Sequence, residues 1–159
     1  VMVGDGPLLS VVQDRARQLG LEHLVQFPGV LSPDAVAQEM RRARVFVQHS
    51  RTAEDGDEEG CPVSVMEAQL CGLPVVSTRH GGIPDVVVDQ QTGRLVEEGD
   101  RPAMAEAMAL LVDQPDLAAA WGTAGQLRAQ ARFTVAHHVD QMTMLLNDLV
   151  DKRRSAARA

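Results

Sequence analysis

Glu59 and Glu67 stand eight residues apart on either side of Pro62, and that spacing can do chemistry. If Pro62 sits in the first turn of a helix, the N–H groups of Val63, Ser64 and Val65 point out of its N-terminus, where the helix dipole favours an anion. A diphosphate suits such a place. Glu67 would lie one turn deeper, on the face of Val63 and Ser64, able to accept hydrogen bonds from a vicinal diol such as a ribose. Glu59, on the preceding loop, would reach a sugar on the far side of the phosphate. By themselves, two carboxylates in a chain with 22 acidic residues can equally be a pair of solvated glutamates.

Other reactive side chains are weaker candidates. Cys61 beside Glu59 invites a nucleophile reading, but the sequence places no base next to it. His80 opens the Gly81-Gly82 turn, and its plain reading is a solvent contact; His137 and His138 fall on a surface helix. Asp55-Gly56-Asp57 imitates the Asp-x-Asp signature of metal-dependent glycosyl transfer. Asp55, Asp57, Glu59 and Gly60 also imitate the start of a calcium loop, whose twelfth position would be Met66 instead of a bidentate glutamate. A solvated acidic loop is the better reading, and no metal is expected.

Composition removes several function classes. A net charge of −7 with 3% aromatic residues is poorly suited to nucleic acid, which asks for basic patches and stacking side chains. No stretch approaches the roughly 18 apolar residues of a membrane span, and no signal peptide is evident, so the chain is placed in the cytoplasm. Cys61 and Cys71 form neither a disulfide framework nor a zinc set. The chain opens Val1, Met2, Val3 with an apolar strand in progress, and reads as a fragment of something longer.

The elements that must position these residues follow in order. Val1 to Val3 reads as the end of a buried strand. A turn through Gly4 and Gly6 then places Pro7 at the start of a helix carrying Leu9, Val12, Ala16 and Leu19 and stopped by Gly20. Leu9 stands where a dinucleotide fingerprint needs its third glycine, which argues against a nicotinamide or flavin site. Leu24 to Phe27 reads as a second strand; Ser32 caps and Pro33 opens a helix with Val36, Met40 and Ala43 on one face; Val45 to Val47 is a third strand. The long acidic loop from Gln48 to Pro62 has the length of a functional one. A helix over Val63 to Leu70 leads to the strand Pro74 to Thr78 and the Gly81-Gly82 turn. The segment Ile83 to Asp89 fits either a short helix or a strand. Leu95 and Val96 form the last strand. Asp100 and Pro102 begin a helix bearing Met104, Met108, Leu111 and Val112, and Pro115 opens another. Thr134 caps a final helix expected to bury Val139, Met142, Leu146 and Leu149, before a basic tail over 151–159 with Lys152, Arg153, Arg154 and Arg158. Strands alternating with helices imply an α/β fold, a parallel sheet with helices on both faces, binding ligands at the carboxyl ends of its strands.

Glu59-Gly60, Glu67-Ala68, Cys71-Gly72-Leu73-Pro74-Val75-Val76 and Gly81-Gly82-Ile83-Pro84-Asp85 together resemble the donor half of retaining glycosyltransferases of family 4. The resemblance extends to the Val-Gly-Asp-Gly-Pro opening and to Phe27 and Gly29, and covers residues 1–150. It implies a Rossmann-like domain, the C-terminal half of the two-domain GT-B arrangement. Glu59 then matches the catalytic, sugar-contacting glutamate, with Gly60 and Cys61 beside it in the donor-binding set. Glu67 matches the ribose ligand, Val63 and Ser64 the diphosphate-binding amides, and Val30 a base contact. His80, Gly81 and Gly82 border the acceptor side of the cleft. The acidic insert before Glu59, with Arg79-His80, is similar to bacterial enzymes of colanic acid and exopolysaccharide assembly. The family's diphosphate-neutralising basic residues and its acceptor-binding domain precede the part matched here. The resemblance therefore implies that the isolated chain is inactive, and that any membrane association belongs to the longer enzyme. The alternative left open is a non-catalytic nucleotide-binding module or a nucleotide-sugar epimerase-like domain.

Overall fold

A run of four residues with no solvent exposure, Val75 to Thr78, sets the plan of the larger part of the molecule. It is β2 of a parallel sheet ordered β1-β2-β3, between β1 (Phe46–Gln48) and β3 (Gly93–Val96). Phe46 pairs with Val75 and Gln48 with Ser77 on one side; Val75 pairs with Gly93 and Thr78 with Val96 on the other. The computed structural model describes residues 1–156 and divides into two units, Val1–Arg42 and the segment from Ala43 onward.

In the second unit, alternation along β2 sends neighbouring side chains to opposite faces. Val76 and Val96 join a core with Met104, Ala107, Leu111 and Ala118, supplied by α5 (Arg101–Asp113) and α6 (Pro115–Arg132). Burying a Val, Leu or Met side chain of this kind contributes roughly 1.5–3 kcal/mol. The helix α3 (Val63–Leu70) packs on β1, β2 and α6 through buried Val65, Ala68 and Gln69. Gly122 permits the close approach of α6, since a Cβ there would overlap the Gly72 carbonyl oxygen.

Local signals for helix starts hold. Asp100 Oδ1 accepts from the Ala103 N–H at 3.0 Å, Ser32 Oγ from Ala35 at 3.3 Å, and Thr134 Oγ1 from His137 at 3.2 Å. The ambiguous segment splits: Ile83–Val86 is the short helix α4, with Pro84 and Asp85 in its first turn, and Val87 is extended. Asp89 then folds over the edge of β3, accepting from the Leu95 N–H at 3.0 Å and from Arg79 at 2.9 Å, which occupies ladder groups the edge would otherwise expose.

In the first unit, α1 (Leu9–Gln18) and α2 (Pro33–Arg42) form as expected, although α1 starts two residues beyond Pro7. The two expected strands do not form. One parallel bridge, Val3 to Gly29, with the Met2 N–H bonded to Gln26 O at 2.8 Å, stands in their place, and Val1 is 63% exposed. An apolar run becomes a strand only where a ladder partner is present.

The largest departure is α7 (Val135–Ala156). It runs through Lys152, Arg153 and Arg154 of the expected tail, while Arg158 lies outside the described residues. Its stripe Val139, Met142, Leu146 and Leu149 is exposed, as are Met108 and Val112 of α5. Periodicity identifies one apolar face of a helix, not what covers it.

Candidate functional site

The carboxyl ends of β1, β2 and β3 carry the polar groups of the second unit. Past β1 the chain is anchored by hydroxyls at the end of β2: Ser77 Oγ donates to Gln48 O at 2.8 Å and Thr78 Oγ1 to Ser50 O at 2.6 Å. This explains why two buried hydroxyl residues close an apolar strand. It also fixes the backbone from which the Gln48 and Ser50 side chains extend, and both side chains donate to Oε1 of Glu59, the Gln48 Nε2 bond measuring 3.2 Å. Oε2 of Glu59, an exposed residue, has no hydrogen-bond donor within range among the described residues.

The same Gln48 side chain reaches α3, where Ser64 Oγ donates to Gln48 Oε1 at 2.7 Å. Pro62 is buried and is the N-cap of α3, with φ −64° and ψ 126°, so it precedes the first turn. Proline has no side-chain acceptor, and the helix start is uncapped. The Val65 N–H, expected to be free, bonds back to Pro62 O at 3.1 Å. The N–H groups of Val63 and Ser64 are left without an acceptor among the described residues, and they point outward with the positive end of the dipole. Glu67 is exposed one turn further along.

The turn after β2 packs against the loop carrying Glu59. Gly81 has φ +49°, and a Cβ on it would lie 2.5 Å from the carbonyl oxygens of both Glu59 and Gly60. The Gly82 N–H donates to Gly60 O. Cys61, next in the chain, is half-buried; burial first, then the charges of Glu59 and Asp85, push its thiol pKa upward. That keeps it protonated and a poor nucleophile.

His80 is not the solvent contact expected from sequence. It is 3% exposed, with Nδ1 2.7 Å from Oε1 of Glu98, a residue just beyond β3 whose Oε2 accepts from the Thr52 N–H at 3.0 Å. This pair joins the turn after β2, the turn after β3 and the acidic loop. The hydrogen bond to Glu98 raises the His80 pKa against the opposing effect of burial, with the charges of Glu98, Glu58 and Glu59 assisting. Glu98 is lowered by the same bond, with the Thr52 N–H second. The imidazolium contribution to stability is therefore complete below the ordinary histidine value of about 6.5 and lost as pH climbs through the raised one. The carboxylate contribution is complete above the ordinary glutamate value and lost as pH falls through the lowered one. The difference in thermal midpoint between the wild-type chain and His80→Gln is expected to shrink steadily above about pH 6.5; a difference constant from pH 6 to 9 would count against the pair.

The sequence reading brought Glu59, Gly60, Cys61, Val63, Ser64, Glu67, His80, Gly81 and Gly82 to this edge, and all lie in the second unit. Val30 lies in the first, 77% exposed. Gln48, Ser50, Thr52 and Glu98 were missed. A polar residue closing an apolar strand at its carboxyl end was the available signal for Gln48. Asp55 and Asp57 are exposed and bonded within their own loop: Asp55 Oδ1 accepts from the Asp57 N–H at 3.2 Å, and the Asp57 backbone carbonyl from the Ala53 N–H at 2.9 Å. Cavities of about 730 Å³ beside β3 and about 700 Å³ near α7 include neither Glu59 nor Glu67. The carboxylates stand on an open rim. No helix among the described residues is long and apolar enough to cross a membrane.

Comparison with known proteins agrees with this fold. The chain is 40% identical over 145 residues to WcaL of Escherichia coli strain K12, named as a colanic acid biosynthesis glycosyltransferase, covering 90% of this chain and 34% of that protein. It is 39% identical over 127 residues to a GDP-mannose-dependent alpha-(1-6)-phosphatidylinositol monomannoside mannosyltransferase of Mycolicibacterium smegmatis, covering 79% of this chain and 33% of that one. The chain thus spans about a third of the length of these relatives. Among solved structures it superimposes on Anabaena Alr3699/HepE in complex with UDP-glucose with a TM-score of 0.79 at 26% identity, covering 92% of this chain and 40% of that one. Its parallel α/β architecture is accordingly that found in GT-B glycosyltransferases. The model of the family described as "Glycosyl transferases group 1" matches residues 1–128, from the opening turn through the carboxylate rim into α6, and the chain belongs to that family.

Proposed function

We propose that this chain is the donor-binding half of a retaining glycosyltransferase, which moves a sugar from a nucleotide diphosphosugar to an acceptor hydroxyl. One observation carries the reading: Glu59, held through one carboxylate oxygen by Gln48 and Ser50, stands beside the uncapped start of α3. An anion-binding helix end next to an acceptor-only side chain matches a ligand in which a diphosphate joins a polyol. In this reading the amides of Val63 and Ser64 hold the diphosphate and Glu67 takes the ribose hydroxyls. Oε2 of Glu59 takes hydroxyls of the transferred sugar, with Gly60 and Cys61 forming the wall beside it. His80, Gly81 and Gly82 border the acceptor side.

The amides at α3 meet the diphosphate charge directly, and no metal ion is invoked. The open rim and the exposed apolar stripe of α7 support a second, acceptor-binding domain in the complete enzyme. The isolated chain is expected to bind a donor without turning it over; robust turnover by this polypeptide alone would overturn that part.

Calorimetric titration with UDP-glucose and GDP-mannose tests the assignment. Glu67→Ala removes a charged acceptor for two hydroxyls, each such bond being worth about 1.5–3 kcal/mol. It is therefore expected to weaken binding of the better donor by about tenfold or more. The change should be as large for the matching nucleoside diphosphate, which shares the ribose. Binding indifferent to Glu67→Ala would undo the ribose assignment.

A further inference from the structure

We infer that Gln48 is the positioning residue of the donor site, coupling the sugar-facing carboxylate of Glu59 to the diphosphate-facing start of α3. The inference rests on the donor-site reading above. Gln48 closes β1, with its backbone carbonyl fixed by Ser77, so its side chain starts from a rigid strand. The amide then spans two segments far apart in sequence: Oε1 accepts from Ser64, sixteen residues away, and Nε2 donates to Glu59, eleven away. Chemistry dictates this orientation. A carboxylate can only accept, so an amide turned the other way would set oxygen against oxygen at Glu59. The Ser64 hydroxyl polarises the amide toward stronger donation at Nε2, so three side chains form one directed chain from helix start to carboxylate.

The consequence is selective occupancy of one carboxylate oxygen. Gln48 and Ser50 both converge on Oε1, which leaves Oε2 open to a ligand hydroxyl. A ligand that spans both ends, with diphosphate at Ser64 and sugar at Glu59, meets a pre-aligned pair and avoids the ordering cost of two independent groups. A nucleotide without the sugar uses only one end. Gln48 therefore sets discrimination for the sugar-bearing nucleotide over its sugar-free counterpart.

Gln48→Glu tests this, because it keeps shape and the acceptor for Ser64 while replacing the donor to Glu59 by a second carboxylate. Two carboxylates sharing one site cannot both ionise easily, so one takes a proton and restores the bond as pH falls. The titrations use UDP-glucose, GDP-mannose, UDP and GDP with the whole chain. The variant is expected to bind the better nucleotide sugar about tenfold more weakly than wild type at pH 8, approaching wild type near pH 5.5, as one donated bond to a charged acceptor implies. Gln48→Met, which fills the same space without either bond, should lose affinity at both pH values. In both variants nucleoside diphosphate affinity should fall by less than nucleotide-sugar affinity does, and retained diphosphate binding also reports that the site is folded. Gln48→Glu binding the nucleotide sugar as tightly as wild type at pH 8, or losing affinity equally at both pH values, overturns the inference alone. Failure of the wild-type chain to bind any of the four ligands overturns the donor-site reading and this inference with it.

Discussion

Glu59→Gln is expected to weaken binding of a nucleotide diphosphosugar by about 10-fold to 100-fold, the loss corresponding to about 1.5–3 kcal/mol for hydrogen bonds to a charged acceptor. Affinity for the nucleoside diphosphate alone should fall far less, since in this reading Glu59 meets the sugar and not the nucleotide. The substitution is informative because of how Glu59 is held. Its Oε1 accepts from Gln48 and Ser50, and a glutamine can offer its carbonyl oxygen to the same two donors. The local network is kept, and only the outward atom changes, from a carboxylate oxygen to an amide nitrogen that donates. Glu59→Ala would be less clean, since it strands the Gln48 and Ser50 donors. Parallel calorimetry on the two ligand types checks the expectation. Equal losses for both would show that Glu59 acts on the nucleotide or on the fold, not on the sugar.

The second large effect belongs to Gly81→Ala. The added methyl would lie 2.5 Å from the carbonyl oxygens of Glu59 and Gly60, at a residue whose φ is +49°. The left-handed conformation costs an alanine about 1 kcal/mol, and overpacking adds about 1–3 kcal/mol. Which segment yields decides the functional outcome. The turn after β2 is fixed by buried His80 and Ile83, whereas Glu58, Glu59 and Gly60 are exposed. The loop moves, carrying Glu59 away from Gln48 and Ser50. Chemical denaturation is expected to show a loss of about 2–4 kcal/mol. Folded Gly81→Ala should lose most of its preference for nucleotide sugar over nucleoside diphosphate. Retention of that preference at wild-type level would mean that the turn, not the loop, gives way.

The sequence by itself determined what local chemistry controls. Ser32, Asp100 and Thr134 cap helices because a short oxygen-bearing side chain can reach an N–H three residues on, whatever surrounds it. Val75 to Thr78 is a buried strand because a short run rich in β-branched residues, bounded by Pro74 and the Gly81-Gly82 turn, favours the extended backbone. The motif residues Glu59, Ser64, Glu67 and Gly81 were legible for the related reason that glutamate, an uncapped helix start and glycine carry their properties with them. Only the tertiary structure decided how these groups are held. It joined Gln48 to Glu59 and Ser64 across eleven and sixteen residues, and buried His80 against Glu98 eighteen residues away. No pattern along the chain encodes such distances. It also left Val1 to Val3 as a single bridge and the stripe on α7 uncovered, because a strand or an amphipathic face is completed by its partner.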